Sequence, residues 1–328
     1  MVFSIPQLAE KVPTEADAYR FLEDLRWGDQ PVCPHCGSVR KPYFLNPANG
    51  SSRKTRTGTA SQRRVWKCAD CRKQFSVLTG TIFHGTKIPV RTWVFVVFEM
   101  CASKNGVAAR EIERKYGLTP KSAWFMLHRI REAMKREPMA GLLSGRVVSD
   151  ETWIGGKPRY RHGGTKEGRG GQGVTDKTPI VSLISRETGE VRSQVVARVT
   201  GETLRSVLTA HVEPASTHLY TDSEWKYRRI VADFASHSTV NHNIAEYVRG
   251  DVSTNQAENY FSQLKRSIDG THHHVSVEHL PRYLAEFDFR FSTCHESDTE
   301  RMSRLAGRVH GRRLTYRAPA CKHQQGAS

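Results

Sequence analysis

The sequence predicts an α/β protein: a mixed sheet with flanking helices, preceded by a cysteine-built module and a helical hairpin. Three observations predict it. Two Cys-x-x-Cys pairs, Cys33/Cys36 and Cys68/Cys71, lie near the start. Two helical patterns joined by a short turn follow between residues 106 and 136. From residue 147 onward, apolar strand-like runs alternate with amphipathic helical ones. At 328 residues the chain has room for a sizeable core and two or three modules. The formal net charge of +17 favours a polyanionic partner, nucleic acid first, because each neutralised phosphate releases counterions. A basic surface for anionic membranes is the weaker alternative. Residues 1–11 lack a basic start followed by an apolar run, and the apolar stretch Trp93–Cys101 is too short to span a bilayer and contains Glu99. No membrane partner is expected. Seven cysteines, four of them in Cys-x-x-Cys pairs, point to a reduced compartment and metal binding rather than disulfides, hence to the cytoplasm.

In chain order, residues 14–26 predict a short amphipathic helix with Thr14 as N-cap. Each Cys-x-x-Cys places two thiolates on a tight turn, so Cys33, Cys36, Cys68 and Cys71 complete a tetrahedral zinc site. Four sulfurs leave no open position, which makes Zn²⁺ structural, and His35 inside the first pair is a bystander. The 31 residues between the pairs exceed the usual ribbon, and their basic middle reads as an exposed loop. A strand-like run from residue 75 and an apolar helix after Pro89 come next. The hairpin 106–117 and 122–136 fits a helix-turn-helix whose second helix carries Lys121, His128, Arg129, Arg131 and Lys135. Lys121 and Arg129 are its candidate DNA contacts. Residues 138–145 read as a linker.

The second half predicts three strands, helix, strand, helix, strand, helix. The first strand, Val147–Gly156, carries Asp150. A basic Gly-rich loop over 157–177 begins with Lys157, a further DNA-contact candidate. A hairpin follows about Arg186–Gly189, then a helix over Glu202–His211. His218–Asp222 is a strand ending in an acid, and a last strand starts at Ser238. Residues 254–270 read as a helix whose stripe is Ala257, Phe261, Leu264 and Ile268, at spacings of four, three and four. Glu258 and Lys265 are seven apart and point almost the same way, with Asn255 on much the same side. A final amphipathic helix spans 275–292, counting Val277 on its apolar face. The chain divides into 1–85, 86–140, 145–295 and a basic, weakly ordered tail over 296–328.

Asp150 and Asp222 each sit near the C-terminal end of an apolar strand, and Glu258 opens the following helix. Neighbouring strands bring the three carboxylates to one mouth of the sheet. All-oxygen donors suit Mg²⁺ or Mn²⁺, which keep waters and take substrate phosphate as further ligands. Lys265 then holds a DNA phosphate beside the site. Glu151, next to Asp150 on the strand, points to the opposite face.

Several ordered blocks carry a resemblance over roughly residues 14–292. They are Leu22-Glu-Asp-Leu-Arg-Trp-Gly-Asp with Cys33-Pro-His-Cys36-Gly, Asp150-Glu-Thr-Trp-Ile-Gly-Gly, Tyr220-Thr-Asp222, and Asn241-His-Asn with Glu246-Tyr-Val. Thr254-Asn-Gln-Ala-Glu258 with Leu-Lys265-Arg266, and His279-Leu-Pro-Arg-Tyr-Leu-Ala-Glu-Phe-Asp-Phe-Arg290, complete the set. They resemble the insertion-sequence transposases of the IS1595 group, with an ISXO2-like catalytic domain. The resemblance implies an RNase H-like fold, an N-terminal zinc ribbon that helps bind element ends, and a DD(E/N)K site carried by Asp150, Asp222, Glu258 and Lys265. It also implies Mg²⁺-dependent hydrolysis at the element end, releasing a 3′-OH that attacks target DNA. The implied partners are double-stranded terminal repeats and target DNA, in a homo-oligomeric synaptic complex on the bacterial nucleoid. Some relatives use Asn as the third metal-site residue. The six residues between Glu258 and Lys265 favour Glu258, leaving Asn255 to orient DNA or cap the helix, with Arg266 another DNA-contact candidate. His242 is expected near the site. Two other readings stay open: a zinc-ribbon/helix-turn-helix regulator with a non-catalytic C-terminal domain, and an RNase H-like nuclease that cuts without strand transfer.

Overall fold

The computed structural model describes residues 4–45, 63–136, 140–155, 177–222, 225–227, 230–240, 248–249 and 252–315. In chain order the helices are α1 (Ile5–Lys11), α2 (Glu15–Trp27), α3 (Val90–Ala102), α4 (Ala109–Tyr116), α5 (Pro120–Met134), α6 (Gly201–His211), α7 (Asn255–Ser267), α8 (Leu280–Ser292) and α9 (Asp298–Gly307). The strands are β1 (Tyr43–Phe44), β2 (Trp66–Lys67), β3 (Gln74–Phe75), β4 (Leu143–Ile154), β5 (Thr178–Ser185), β6 (Val191–Val195), β7 (Val212–Asp222), β8 (Ser236–Val240), β9 (Val248–Arg249) and β10 (Val252–Ser253). They form two compact units: Met1–Cys101 with Ala109–Ala133 and Asp298–Ser328, and Ala102–Ala108 with Met134–Ser297. Among the described residues no helix is long and apolar enough to cross a membrane.

In the first unit, α2 starts where its cap predicts. Thr14 Oγ1 accepts from the Asp17 N–H while Asp17 accepts from the Thr14 N–H, so two orphan donors at the helix start are satisfied reciprocally. β1, β2 and β3 form an antiparallel three-stranded sheet beside the cysteines. α3 is apolar nearly all round and buries Trp93, Val94, Val96, Val97, Phe98 and Met100, which makes it a central helix of its unit. Where a weakly ordered tail is expected from residue 296, the chain forms α9. Met302, Leu305 and Ala306 are buried and the helix packs on α2. Three apolar positions at helical spacing are enough to hold a segment whose surroundings are basic.

The second unit is built on a five-stranded sheet in the order β6-β5-β4-β7-β8. β6, β5 and β4 pair antiparallel, while β4, β7 and β8 pair parallel. Renumbered along the chain this order is 3-2-1-4-5, the arrangement of the RNase H-like fold. Alternation along the strands gives the sheet two apolar faces. Val148, Ile180, Ile184, Val191 and Tyr220 pack with α7 and α8, whereas Val147, Val181, Leu183 and Leu219 pack with α6 and with Tyr227, Ile230 and Phe234.

Two expectations are corrected here. The segment between β7 and β8 is not a helix but two 3₁₀ turns, Trp225–Tyr227 and Val231–Asp233. Tyr227, Ile230 and Phe234 have helical spacing, yet each is buried as a separate plug of one core face. α8 starts at Leu280 rather than 275, because Pro281 occupies its first turn, where a missing N–H costs nothing; Val277 stays exposed. α7 ends at Ser267 and continues as a π-helical turn through Ile268–His272, so the helix stops near Gly270 as expected.

A candidate carboxylate site and a four-cysteine centre

β4 and β7 run parallel with Val148 opposite Tyr220. Continuing that register sets Asp150 and Asp222 at one level, two residues on. Both then face the side bearing Val148 and Tyr220, which α7 covers through Ala257, Phe261 and Leu264. Glu258 stands in the first turn of α7, next to Ala257, where the positive helix end favours a carboxylate. Burial pushes the Asp150 carboxyl up to about 7. The Glu151 N–H, donated to Asp150 Oδ1 at 2.7 Å, opposes this, and the charges of Glu151, Asp222 and Glu258 raise it further. The structure thus brings the three acids within range of one another's charge. Their all-oxygen donors and excess negative charge are of the type that suits a hard divalent cation such as Mg²⁺ or Mn²⁺, but the three do not lie within the 4.8 Å of one another that the cysteine sulfurs do.

Glu151 takes the other face, as alternation requires. The Tyr227 hydroxyl donates to its carboxylate and lies 3.0 Å from Ser149 Oγ, inside the opposite core. Lys265 is exposed two turns along α7 from Glu258, and Arg266 and Asn255 are exposed on the same helix.

Cys33, Cys36, Cys68 and Cys71 offer four sulfurs within 4.8 Å of one another, and among the described residues they are the one such group of metal-ligating type. A tetrahedron with Zn–S bonds of about 2.3 Å sets its sulfurs about 3.8 Å apart. Cys33–Cys71 and Cys36–Cys68 are each 3.7 Å apart. The two turns are alike: Cys33 N–H donates to Ser38 O and Cys68 N–H to Lys73 O, with Gly37 and Arg72 at positive φ behind each second cysteine. These residues fit Zn²⁺ without rearrangement. His35 lies outside the cluster, its Nε2 3.3 Å from Gln74 O.

Residues 142–292 match the ISXO2-like transposase domain, and residues 13–74 match the transposase zinc-ribbon domain. The chain belongs to the IS1595 transposases. A protein of the transposable element ISH50 from Halobacterium salinarum is 28% identical over 286 residues, covering 84% of this chain and 90% of the relative. The transposase also resembles the catalytic core of BIV integrase (TM-score 0.31, 16% identity, 45% of this chain and 84% of that one). A chain of the simian T-cell lymphotropic virus intasome solved with PP2A regulatory subunit B56 gamma is likewise similar (TM-score 0.29, 14% identity, 56% and 64%). Such low scores add nothing to the strand order, which carries the RNase H-like assignment.

The helical hairpin of the transposase corrects one set of expectations. Over its second half α5 does not present a basic exposed side. From Met126 to Met134 nearly every residue is buried, His128 and Arg131 included. The Arg129 guanidinium donates to His84 O at 2.8 Å and lies over the Trp93 and Phe125 rings, 5.1 and 5.7 Å from their centroids. Burial holds its pKa down at about 10. A side chain tied inside the core cannot reach DNA. Lys121, in the first turn of α5, is exposed and lines an open concavity with Ala109, Arg110, Pro120 and Trp124. Lys157 and His242 lie outside the described residues.

What sequence reasoning missed is the polar side of the α7 packing. Tyr260 is off the four-residue stripe yet 1% exposed, and its hydroxyl donates to Asp288 of α8. An aspartate between Phe287 and Phe289 was the available signal.

Proposed function

We propose that this DDE-type transposase cuts DNA at insertion-sequence ends and joins the freed 3′-OH to target DNA, with Asp150, Asp222 and Glu258 as the ligands of its catalytic cations. The observation that supports this most is the rise of Asp150 to about 7 under burial, with the charge of Glu151 and then those of Asp222 and Glu258 adding to it. A cation bound among them would offset the mutual repulsion of the three carboxylates. Divalent ions held by Asp150, Asp222 and Glu258 would supply an activated oxygen nucleophile and stabilisation of the leaving oxygen. The chain's own part is to fix the carboxylates. Asp150 is held by the Glu151 N–H on Oδ1, and Glu258 by the rigid helix α7. Lys265, two turns along, pairs with a substrate phosphate, and Asn255 and Arg266 extend that contact along the strand. Lys121 and Lys157 add phosphate contacts outside the site. The four cysteines hold a structural Zn²⁺ whose ribbon binds the element ends. Synapsis of two ends makes a dimer or larger complex of the chain the expected assembly.

The test uses a labelled duplex carrying the element's own end, with Mg²⁺ or EDTA, for wild type and Glu258→Gln. Mg²⁺-dependent nicking followed by transfer of the new 3′ end, at least about 10²-fold weaker in the variant with DNA binding retained, is expected. Binding without cutting in either protein turns the reading to a regulator. Cutting without joining turns it to a nuclease.

A further inference from the structure

Among the apolar residues of the sheet face under α7 runs a transverse polar row. In the β4–β5 register Asp150 pairs with Ser182, and in the β5–β6 register Ser182 pairs with Ser193. Ser182 and Ser193 share the parity of Ile180, Ile184 and Val191, so both face α7. Their hydroxyls are 2.8 Å apart. Ser193 Oγ lies 2.9 Å from the Tyr260 hydroxyl of α7 and donates to Asp288 Oδ1 of α8 at 2.7 Å. The Tyr260 hydroxyl donates to the same oxygen at 2.6 Å, and the Ser193 N–H donates to Asp288 Oδ2 at 2.8 Å. This network therefore ties the strand beside Asp150 to the helix that carries Glu258.

The apolar contacts of Ala257, Phe261 and Leu264 hold α7 down but are non-directional, so they resist lifting more than rolling. A carboxylate stands about 6 Å from its helix axis, and a roll of about 10° displaces it by about 1 Å. Metal ligation tolerates roughly 0.2 Å. Tyr260 is two residues from Glu258, about 200° round the helix. Anchoring its tip on the far side of the axis fixes the angle at which Glu258 emerges. We propose that Ser193, Tyr260 and Asp288, extended by Ser182, are positioning residues that fix the rotation of α7 and so place Glu258 against Asp150 and Asp222. The inference rests on Glu258 being a metal ligand.

The test is Tyr260→Phe in the full chain, compared with wild type and Glu258→Gln for end cleavage across a Mg²⁺ titration, with end-DNA affinity and thermal midpoint measured alongside. The expected result is a maximal cleavage rate down about tenfold or more and a half-saturating Mg²⁺ concentration up about fivefold, with DNA affinity within about twofold. Ser193→Ala, which removes only the hydroxyl between Tyr260 and Asp288, carries the same expectation should Tyr260→Phe not fold. Wild-type rate and Mg²⁺ dependence with a lowered thermal midpoint would overturn the proposal and leave the network a purely stabilising one. If Glu258→Gln itself cleaves normally, the reading of Glu258 fails instead, whatever Tyr260→Phe does.

Discussion

Asp150 binds a proton more tightly in the folded chain than a free carboxyl would, rising from 3.8 to about 7 under burial and neighbouring charge. The folded state therefore holds a proton that the unfolded state releases between about pH 4 and pH 7. Stability that is complete below pH 4 is lost as pH rises through 7, by an amount on the order of 2–4 kcal/mol. Asp150→Asn removes the charge, so in chelator-free buffer without Mg²⁺ or Mn²⁺ the variant should melt at higher temperature than wild type at pH 8 and at about the same temperature at pH 4. Thermal melts across that range check it; equal midpoints at pH 8 would show Asp150 to be better solvated than its surroundings indicate. The position of this residue was legible because strand alternation says which face a side chain takes. The same rule placed Glu151 on the opposite face, but its partner Tyr227, 76 residues away, was not legible.

At the scale of elements, the cysteine module shows how little core a small fold needs when a metal holds it. Its buried apolar set is Phe75 with Cys33 and Cys68, joined by half-buried Trp27, Trp66 and Cys71. That is too little to order the segment by burial alone, so most of its stability comes from Zn–thiolate bonds. Cys68→Ser is expected to lose zinc and to unfold β1–β3 while leaving the β4–β8 sheet intact. Zinc content together with hydrogen exchange over residues 63–75 and 143–154 measures both. Protection retained in β2 and β3 would show that the strands stand without the metal. The spacing of the cysteines made this module readable, since two tight turns leave few other uses for four thiols.

For the whole molecule, a charge of +17 says that polyanions are attracted, not where they bind. Arg129 and Lys121 lie on one helix with opposite fates, one tied into the core and one exposed. Arg129→Ala should cost about 2 kcal/mol of stability, from a lost hydrogen bond and lost packing on Trp93, and leave the salt dependence of DNA binding unchanged. Lys121→Ala should leave the melting temperature unchanged and flatten the slope of log K against log salt by about one. Binding isotherms at several salt concentrations with thermal melts separate the two. A flattened slope for Arg129→Ala would put its side chain back on the DNA surface.

By itself the sequence determined what local chemistry decides. That covers the Thr14 cap, the two cysteine turns, the hairpin about Arg186–Gly189, and the placing of two aspartates on apolar strands with a glutamate on the helix after them. Each depends on residues within a few positions of one another, or on a period of two or of three to four. Tertiary structure alone decided which surface of α5 is covered, that the chain after residue 298 returns as a helix against α2, and that Tyr227 serves the sheet rather than a helix of its own. It also decided that Asp288 and Tyr260 meet Ser193 beneath α7. Those outcomes turn on which distant side chains fill the same space, and a buried arginine or aspartate keeps its place only because a partner far along the chain satisfies it.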